Sequence, residues 1–216
     1  MKNIRISFPL LIVSLFLPAL LVAQELKPIE LPKPQMSGGM PLMEALKARH
    51  TTREFKPDLL PAPVLSNLLW AAFGINRPGS GKRTAPSAMN WQENDIYVFL
   101  AGGVYIYEAK AHRLNPVVGE DFRATTGTQD FVKNAPVNLV YVADLAKTGN
   151  ASRDDRNLYT AVDAGLIVQN VYLFCASEGL ATVVRGSVDR PALAKLLKLR
   201  PDQRIIVAQT VGYPGN

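Results

Sequence analysis

The sequence contains one cysteine and two histidines in 216 residues, and this scarcity excludes several kinds of site. Cys175 cannot form a disulfide within the chain, and its apolar neighbours are typical of a small core residue. His50 and His112 lie far apart without the spacing of metal ligands, so we expect no metal. No Gly-x-Ser-x-Gly motif occurs, which leaves a serine hydrolase unsupported.

Nucleotide-binding glycine motifs are also missing. Gly81-Lys82 would need a glycine five residues earlier to form a P-loop, but Asn76 stands there, and Arg83 replaces the required Ser or Thr. No Rossmann glycine pattern follows a predicted strand, so a tightly held dinucleotide is not expected. The 24 basic and 18 acidic residues give a formal net charge of +6. Because the bases are scattered, nucleic acid is not an expected partner.

Residues 1–23 have the pattern of an export signal. Lys2 and Arg5 precede an apolar run over residues 8–22, and Ala23 offers a small residue for cleavage. The run is shorter than the roughly 20 residues that span a bilayer comfortably. We therefore expect a periplasmic or extracellular protein with no stable membrane insertion after signal removal. An uncleaved segment acting as a membrane anchor is the alternative.

The rest of the chain divides into a Pro- and Gly-rich arm or linker over residues 24–40 and one domain over residues 41–216. Apolar periodicity predicts helices at 63–73, 161–177 and 190–199, after a short apolar helical face at 42–46, and we also expect a polar helix at 120–134. Runs rich in β-branched and aromatic residues predict strands at 95–100, 104–107, 136–143, 181–184 and 204–211. This order favours an α+β sandwich, with one mainly antiparallel sheet flanked by helices. Helix 161–177 is apolar nearly all round, so we expect it to be buried.

Two polar clusters are the candidate binding residues. The first is Arg49, His50, Thr51 and Arg53, in which guanidinium groups and a hydroxyl can grip a phosphate, and a helix terminus can add backbone donors. A solvated helix end, with its arginines paired to carboxylates, is the simpler interpretation. The second cluster supplies hydroxyl and amide groups suited to ribityl hydroxyls and the edge of a flavin ring; its members are Ser87, Ala88, Asn90 and Gln92.

Together with the segments 70–78, 103–107, 163–179 and 211–214, these clusters occur in the order typical of the nitroreductase family. The chain resembles that family over nearly all of residues 43–214, and most closely its azoline-oxidase branch. The family's entry motif reads roughly Arg-Arg-Ser-x-Arg-x-Phe; here His50 replaces the second Arg and Thr51 the Ser. The resemblance implies a nitroreductase-like sandwich, FMN as cofactor, and a homodimer with flavins at the subunit interface.

The resemblance also implies roles for individual residues. Arg49, Thr51 and Arg53 would hold the phosphate, with His50 nearby, and the second cluster would approach the ring and ribityl chain from the same or the opposite subunit. Residues 183–186, ending at Gly186, would run past the ring, where a backbone N–H can hold N5. A cation near the N1–O2 edge would come from Arg185, Lys82 or Arg83.

The predicted function is an exported FMN-dependent oxidoreductase. Nicotinamide coenzymes are largely confined to the cytosol, so export favours a dehydrogenase or oxidase that takes electrons from a small organic substrate. Many family members carry further basic residues beyond the Gly-Tyr-Pro segment, whereas this sequence ends at Asn216. The alternative is therefore a redox-silent protein that uses the same fold to bind a flavin or another planar ligand.

Overall fold

The computed structural model describes residues 26–215, so the predicted export signal lies outside the described residues. A seven-stranded sheet, antiparallel throughout, forms its centre in the order β1-β6-β5-β4-β7-β9-β8. The strands are β1 (Ile29–Glu30), β4 (Asn94–Leu100), β5 (Gly103–Glu108), β6 (Arg113–Val118), β7 (Val137–Asp144), β8 (Ala181–Arg185) and β9 (Gln203–Gly212). A separate hairpin pairs β2 (Ile75–Arg77) with β3 (Lys82–Arg83).

Residues 26–215 form four α-helices around the sheet, as the sequence predicts for an α+β sandwich: α1 (Leu42–Ala48), α2 (Ala62–Phe73), α3 (Arg153–Glu178) and α4 (Arg190–Leu196). Each strand presents alternate side chains to opposite faces, which creates two apolar layers. Ile96 and Val98 of β4 belong to the layer with α2 and α3, whereas Tyr97 and Phe99 belong to the layer with α4. The central strand β7 is buried along its whole length.

The five predicted strands are present, but the sequence did not reveal β1, β6 or the β2–β3 hairpin. Strand β6 contains polar residues and Pro116, which are unfavourable in a strand interior. Pro116 pairs with Tyr105, next to a shift in the register between β5 and β6. Proline is tolerated in a strand at such a bulge. Strand β1 lies in the predicted arm, and its Ile29 pairs with Leu114 of β6. The described part of the arm is therefore packed on the sheet rather than acting as a free linker.

The predicted helix over residues 120–134 was wrong. Two 3₁₀ helices, Arg123–Thr126 and Asp130–Lys133, occupy this region, and Gly127 separates them in an extended conformation. The guanidinium of Arg185 occupies the space that a Cβ at residue 127 would need. Close packing against a buried arginine thus interrupts the helical pattern here.

Helix α3 begins eight residues before the predicted start, because Ser152 caps it by accepting a hydrogen bond from Asp155 N at 3.0 Å. It is also not buried all round. Its inner face packs on the sheet, but Leu158, Tyr159, Val162 and Leu166 remain exposed. The length and composition of α3 would suit a membrane span, a weak indication because apolar core helices share them.

Candidate functional site

The first polar cluster begins at the C-terminal end of α1. Arg49 is the last helix-bonded residue, and its N–H donates to Ala45 O at 2.9 Å. This end of a helix presents carbonyl groups, so the expected backbone donors of a helix terminus are not supplied here. The chain then runs extended, and Thr52 N donates to Thr182 O of β8 at 3.1 Å. The cluster therefore lies against the outer edge of β8, the last strand of the sheet.

Tyr172 of α3 organises this cluster. Its ring lies under Arg49, with the guanidinium carbon 5.4 Å from the ring centroid. Its hydroxyl oxygen accepts the N–H of Val184 at 3.0 Å and lies 3.1 Å from Thr51 Oγ1. Because that oxygen already accepts one hydrogen, the phenolic hydrogen can point to Thr51. The hydroxyl hydrogen of Thr51 is then free to donate to a ligand.

The charges of this cluster are not neutralised by carboxylates. Within residues 26–215, neither Arg49 nor Arg53 forms an ion pair, which argues against the interpretation as arginines paired at a solvated helix end. Arg49 is half-buried and Arg53 is exposed. His50 is also exposed, and its Nδ1 lies 2.7 Å from Ala48 O. Two arginines without carboxylate partners among the described residues and a hydroxyl with an available hydrogen thus occur within five residues of the chain, a set of donors that suits a phosphate.

The edge of β8 adds backbone donors beside the cluster. Val184 directs its N–H away from β9, toward Tyr172. Since the direction alternates along a strand, the N–H of Gly186, two residues on, points to the same open edge. Gly186 is exposed, and a Cβ there would meet no atom within 4 Å. Gly186, directly after the end of β8, therefore offers its N–H along the same sheet edge as the first cluster, with space above its backbone.

Arg185 is in a different place from the other predicted site residues. Its side chain is buried on the far face of the sheet, where Nη1 donates to Thr126 O at 2.6 Å and Nε to Thr210 Oγ1 at 3.0 Å. Nη2 lies 3.1 Å from Asn138 Oδ1. Burial lowers the pKa of this guanidinium to about 10. The structure therefore does not support Arg185 as the cation at a flavin edge, and gives it a structural role instead.

The second cluster forms a tight loop over residues 87–92, hereafter the 87–92 loop. Three of its residues adopt left-handed backbone conformations, Met89, Asn90 and Gln92, with φ angles of 51°, 56° and 49°. Such conformations cost roughly 1 kcal/mol or more each outside glycine, so surrounding contacts must hold them. Ser87 Oγ provides one by accepting Gln92 N at 2.8 Å. The loop is consequently a strained, well-defined structure.

Two buried carboxyl groups hold this loop in place. Asp163 of α3 accepts Ala88 N at 2.8 Å, and Glu93 accepts Ser87 Oγ at 3.2 Å. Glu93 is 0% and Asp163 3% exposed. Burial raises the pKa of both groups, and the charge of Asp163 raises the pKa of Glu93 further. Neither residue emerged from the sequence patterns.

The two clusters lie at different levels of the same helix. Asp163 and Tyr172 are nine residues apart, which corresponds to about 14 Å along the axis of α3. Exposed apolar residues occupy the helix surface near the loop, and Trp91 contacts Tyr159 edge-on at a centroid distance of 6.0 Å. Eight exposed large apolar side chains belong to the loop, α1 and α3, and we call this set the apolar face: Leu42, Met43, Leu46, Met89, Leu158, Tyr159, Val162 and Leu166.

Sequence reasoning missed Tyr172, Glu93 and Asp163. A signal existed for Asp163, because an acidic residue in an otherwise apolar helix is expected to have a buried partner. A cavity of about 490 Å³ between the arm and helices α2 and α3 contains none of the predicted site residues. The described residues also contain no cluster of His, Cys, Asp or Glu suited to a metal. Cys175 is buried, as expected for a core residue.

Comparison with known proteins identifies the family. The model of the nitroreductase family matches residues 46–213, so the chain belongs to that family. A nitroreductase-family protein of Methanocaldococcus jannaschii is 30% identical over 169 residues, which cover 74% of this chain and 85% of the relative. The crystal structure of a nitroreductase-family protein of Ralstonia eutropha has a TM-score of 0.85 at 42% identity, covering 92% of this chain and 94% of that one.

More distant structures share the fold alone. A chain of the Escherichia coli microcin synthetase McbBCD complex gives a TM-score of 0.68 at 20% identity and covers 94% of this chain and 85% of its own. An NADPH:FMN oxidoreductase of Vibrio harveyi gives 0.62 at 21% identity, covering 81% and 69%. The predicted α+β sandwich and family are thereby confirmed, and the chain is an oxidoreductase of the nitroreductase family.

Proposed function

We propose that this chain is an exported, FMN-dependent oxidoreductase of the dehydrogenase or oxidase type, acting on a small organic substrate. One observation carries the cofactor assignment. The segment that carries Arg49, Thr51 and Arg53 runs along the open edge of β8, and its arginines have no carboxylate partners among the described residues. Tyr172 lies under Arg49, with its hydroxyl 3.1 Å from that of Thr51. This donor set fits a phosphate dianion.

Each element of the site has a separate role in this proposal. Arg49 and Arg53 would neutralise the phosphate, and Thr51 would donate one hydrogen bond to it. The N–H of Gly186 would face the edge of the ring from the strand β8. A bound flavin would supply two-electron redox chemistry, whereas the protein provides position, charge and exclusion of water.

The 87–92 loop would complete the site from a second copy of the chain. Within one protomer the loop and the phosphate cluster are separated by about 14 Å along α3. A homodimer formed through the apolar face would cover its exposed side chains and could bring the loop of one subunit to the flavin of the other. The exposure of eight large apolar side chains on the loop, α1 and α3 motivates this proposal.

Comparing FMN with riboflavin tests the cofactor assignment. Because riboflavin lacks the phosphate, the mature protein should bind it at least tenfold more weakly than FMN in a fluorescence titration. Equal affinities for riboflavin and FMN would show that Arg49 and Arg53 do not bind the phosphate. Binding without any substrate-driven or dithionite-driven reduction would instead favour a redox-silent binding protein.

The electron donor follows from the predicted export and from the likeness to the azoline-oxidase branch. An exported enzyme would have little NADH or NADPH, so electrons would come from the organic substrate and pass to oxygen or a membrane carrier. Under anaerobic stopped-flow mixing, NADH and NADPH should bleach the flavin slowly or not at all. Fast, saturable bleaching at micromolar coenzyme would contradict this proposal and favour a nicotinamide-driven reductase.

A further inference from the structure

A recess of about 200 Å³ opens between the β2–β3 hairpin and the 87–92 loop. The hairpin contributes three cations to its wall, and the loop contributes hydroxyl and amide groups. The residues that matter here are Arg77, Lys82, Arg83, Ser87, Asn90 and Gln92. The recess therefore joins the loop proposed to approach the flavin to a group of positive charges.

The hairpin holds its arginines in defined positions. Arg83 donates from Nε to Gln92 Oε1 at 2.8 Å and from Nη1 to Phe73 O at 3.0 Å. Its guanidinium also stacks over the Phe73 ring at 4.5 Å from the centroid. Arg77 donates from Nη2 to the Arg83 carbonyl at 2.9 Å. Arg83 is thus fixed in the wall, and Arg77 is tied to the rim beside the exposed Lys82.

These cations lack compensating negative charge. No acidic residue lines the recess, and within residues 26–215 none of Arg77, Lys82 and Arg83 forms an ion pair. Burial lowers the pKa of Arg83, and the nearby charge of Asp95 offsets this only in part, since the Asp95 carboxylate lies 2.7 Å from Lys147 Nζ. Arg77 Nη1 and Arg83 Nη2 make no hydrogen bond in the described structure, so each keeps donors for a ligand.

We propose that this recess binds the carboxylate of the enzyme's organic substrate, so that the substrate is an anionic molecule held beside the flavin. Guanidinium forks match the two oxygens of a carboxylate, and the lysine adds charge. Ligand pockets usually measure about 300–1,000 Å³, so the recess is large enough for a head group but too small for a three-ring flavin. The inference rests on the proposed function, because the 87–92 loop links the recess to the cofactor.

Benzoate is a suitable probe, with neutral benzamide as its isosteric counterpart. Benzoate should bind the FMN-loaded protein saturably and perturb the visible flavin spectrum, whereas benzamide should bind at least tenfold more weakly. Arg77→Gln should weaken benzoate binding about tenfold and leave FMN affinity unchanged, and Lys82→Gln should weaken benzoate binding to a similar degree. Lys110→Gln, at an exposed lysine in the turn between β5 and β6 that does not line the recess, serves as the matched control and should change neither.

Three results would overturn this inference. Equal binding of benzoate and benzamide, or absence of benzoate binding, would show that the recess does not select a carboxylate. Weaker FMN binding in the Arg77 and Lys82 variants, with unchanged benzoate binding, would assign the cations to the flavin instead. If the parent protein binds no FMN, the proposed function fails, and calorimetric titration with benzoate still decides whether the recess takes an anion.

Discussion

Asp163 accepts a 2.8 Å hydrogen bond from the backbone N–H of Ala88, so a buried carboxyl group of α3 holds the strained 87–92 loop. Glu93 holds the same loop through Ser87. The conformation of a predicted cofactor-contacting segment therefore depends on two side chains that do not reach the surface. The predictions below test this support, the phosphate cluster and the apolar face separately.

Replacing Arg53 with alanine should weaken FMN binding by about one to two orders of magnitude, because a charge-assisted contact contributes roughly 1.5–3 kcal/mol. Arg49→Ala should have a similar effect. Fluorescence titration with FMN measures both, with Arg204→Ala as a control, because Arg204 lies near the start of β9 and contacts Asn157 rather than the cluster. If both variants bind FMN as tightly as the parent protein, the phosphate does not lie at this cluster.

Replacing Tyr172 with phenylalanine should separate its hydroxyl group from its ring. The ring still lies under Arg49, but Val184 N loses its acceptor and Thr51 loses its partner. An unsatisfied amide costs about 1–3 kcal/mol, so the melting temperature should fall by several degrees. FMN binding should weaken less than in the Arg53 variant. Tyr159→Phe is the control on the exposed surface of the same helix, and equal effects of the two changes would contradict the assignment.

The phosphate cluster itself was predictable, since Arg49, Thr51 and Arg53 are close in sequence. Tyr172 and Asp163 were not, because they join the site through tertiary contacts with segments 121 and 75 residues away. Arg185 was misplaced for a related reason. Sequence proximity to Gly186 suggested the same surface, but alternation along β8 directs its side chain to the opposite face. Strand β6 was not predicted because its polar residues and Pro116 are unfavourable in a strand. It forms nevertheless because it pairs with β5.

The apolar face predicts a homodimer in solution. Light scattering should report twice the chain mass for the mature protein. Val162→Glu places a charge in the middle of this face, so it should shift the protein to the monomer and weaken FMN binding if the partner supplies the 87–92 loop. Lys110→Glu, outside the face, should remain dimeric. A parent protein that is monomeric and still binds FMN tightly would refute a site shared between subunits.

The buried pair should make stability depend on pH with a definite sign. Because the pKa of Glu93 is raised in the fold, the unfolded chain ionises first, and stability falls as pH rises from about 4 through the raised value. Glu93→Gln lacks the titrating group and therefore this loss of stability. As the pH rises from 4 to 7, the melting temperature of the variant should increase relative to that of the parent protein. Glu108, whose pKa is lowered chiefly by a hydrogen bond from Asn115, should show the opposite trend in Glu108→Gln. Parallel curves for the parent and the Glu93 variant would rule out the raised pKa.

The most direct test of the account is the visible spectrum of the purified protein expressed as residues 24–216, before and after dithionite. The proposed function predicts a yellow protein with a flavin spectrum that dithionite bleaches at once, and heat should release FMN rather than FAD. A colourless protein that also takes up no added FMN would contradict the assignment of the Arg49, Thr51 and Arg53 cluster as a cofactor site.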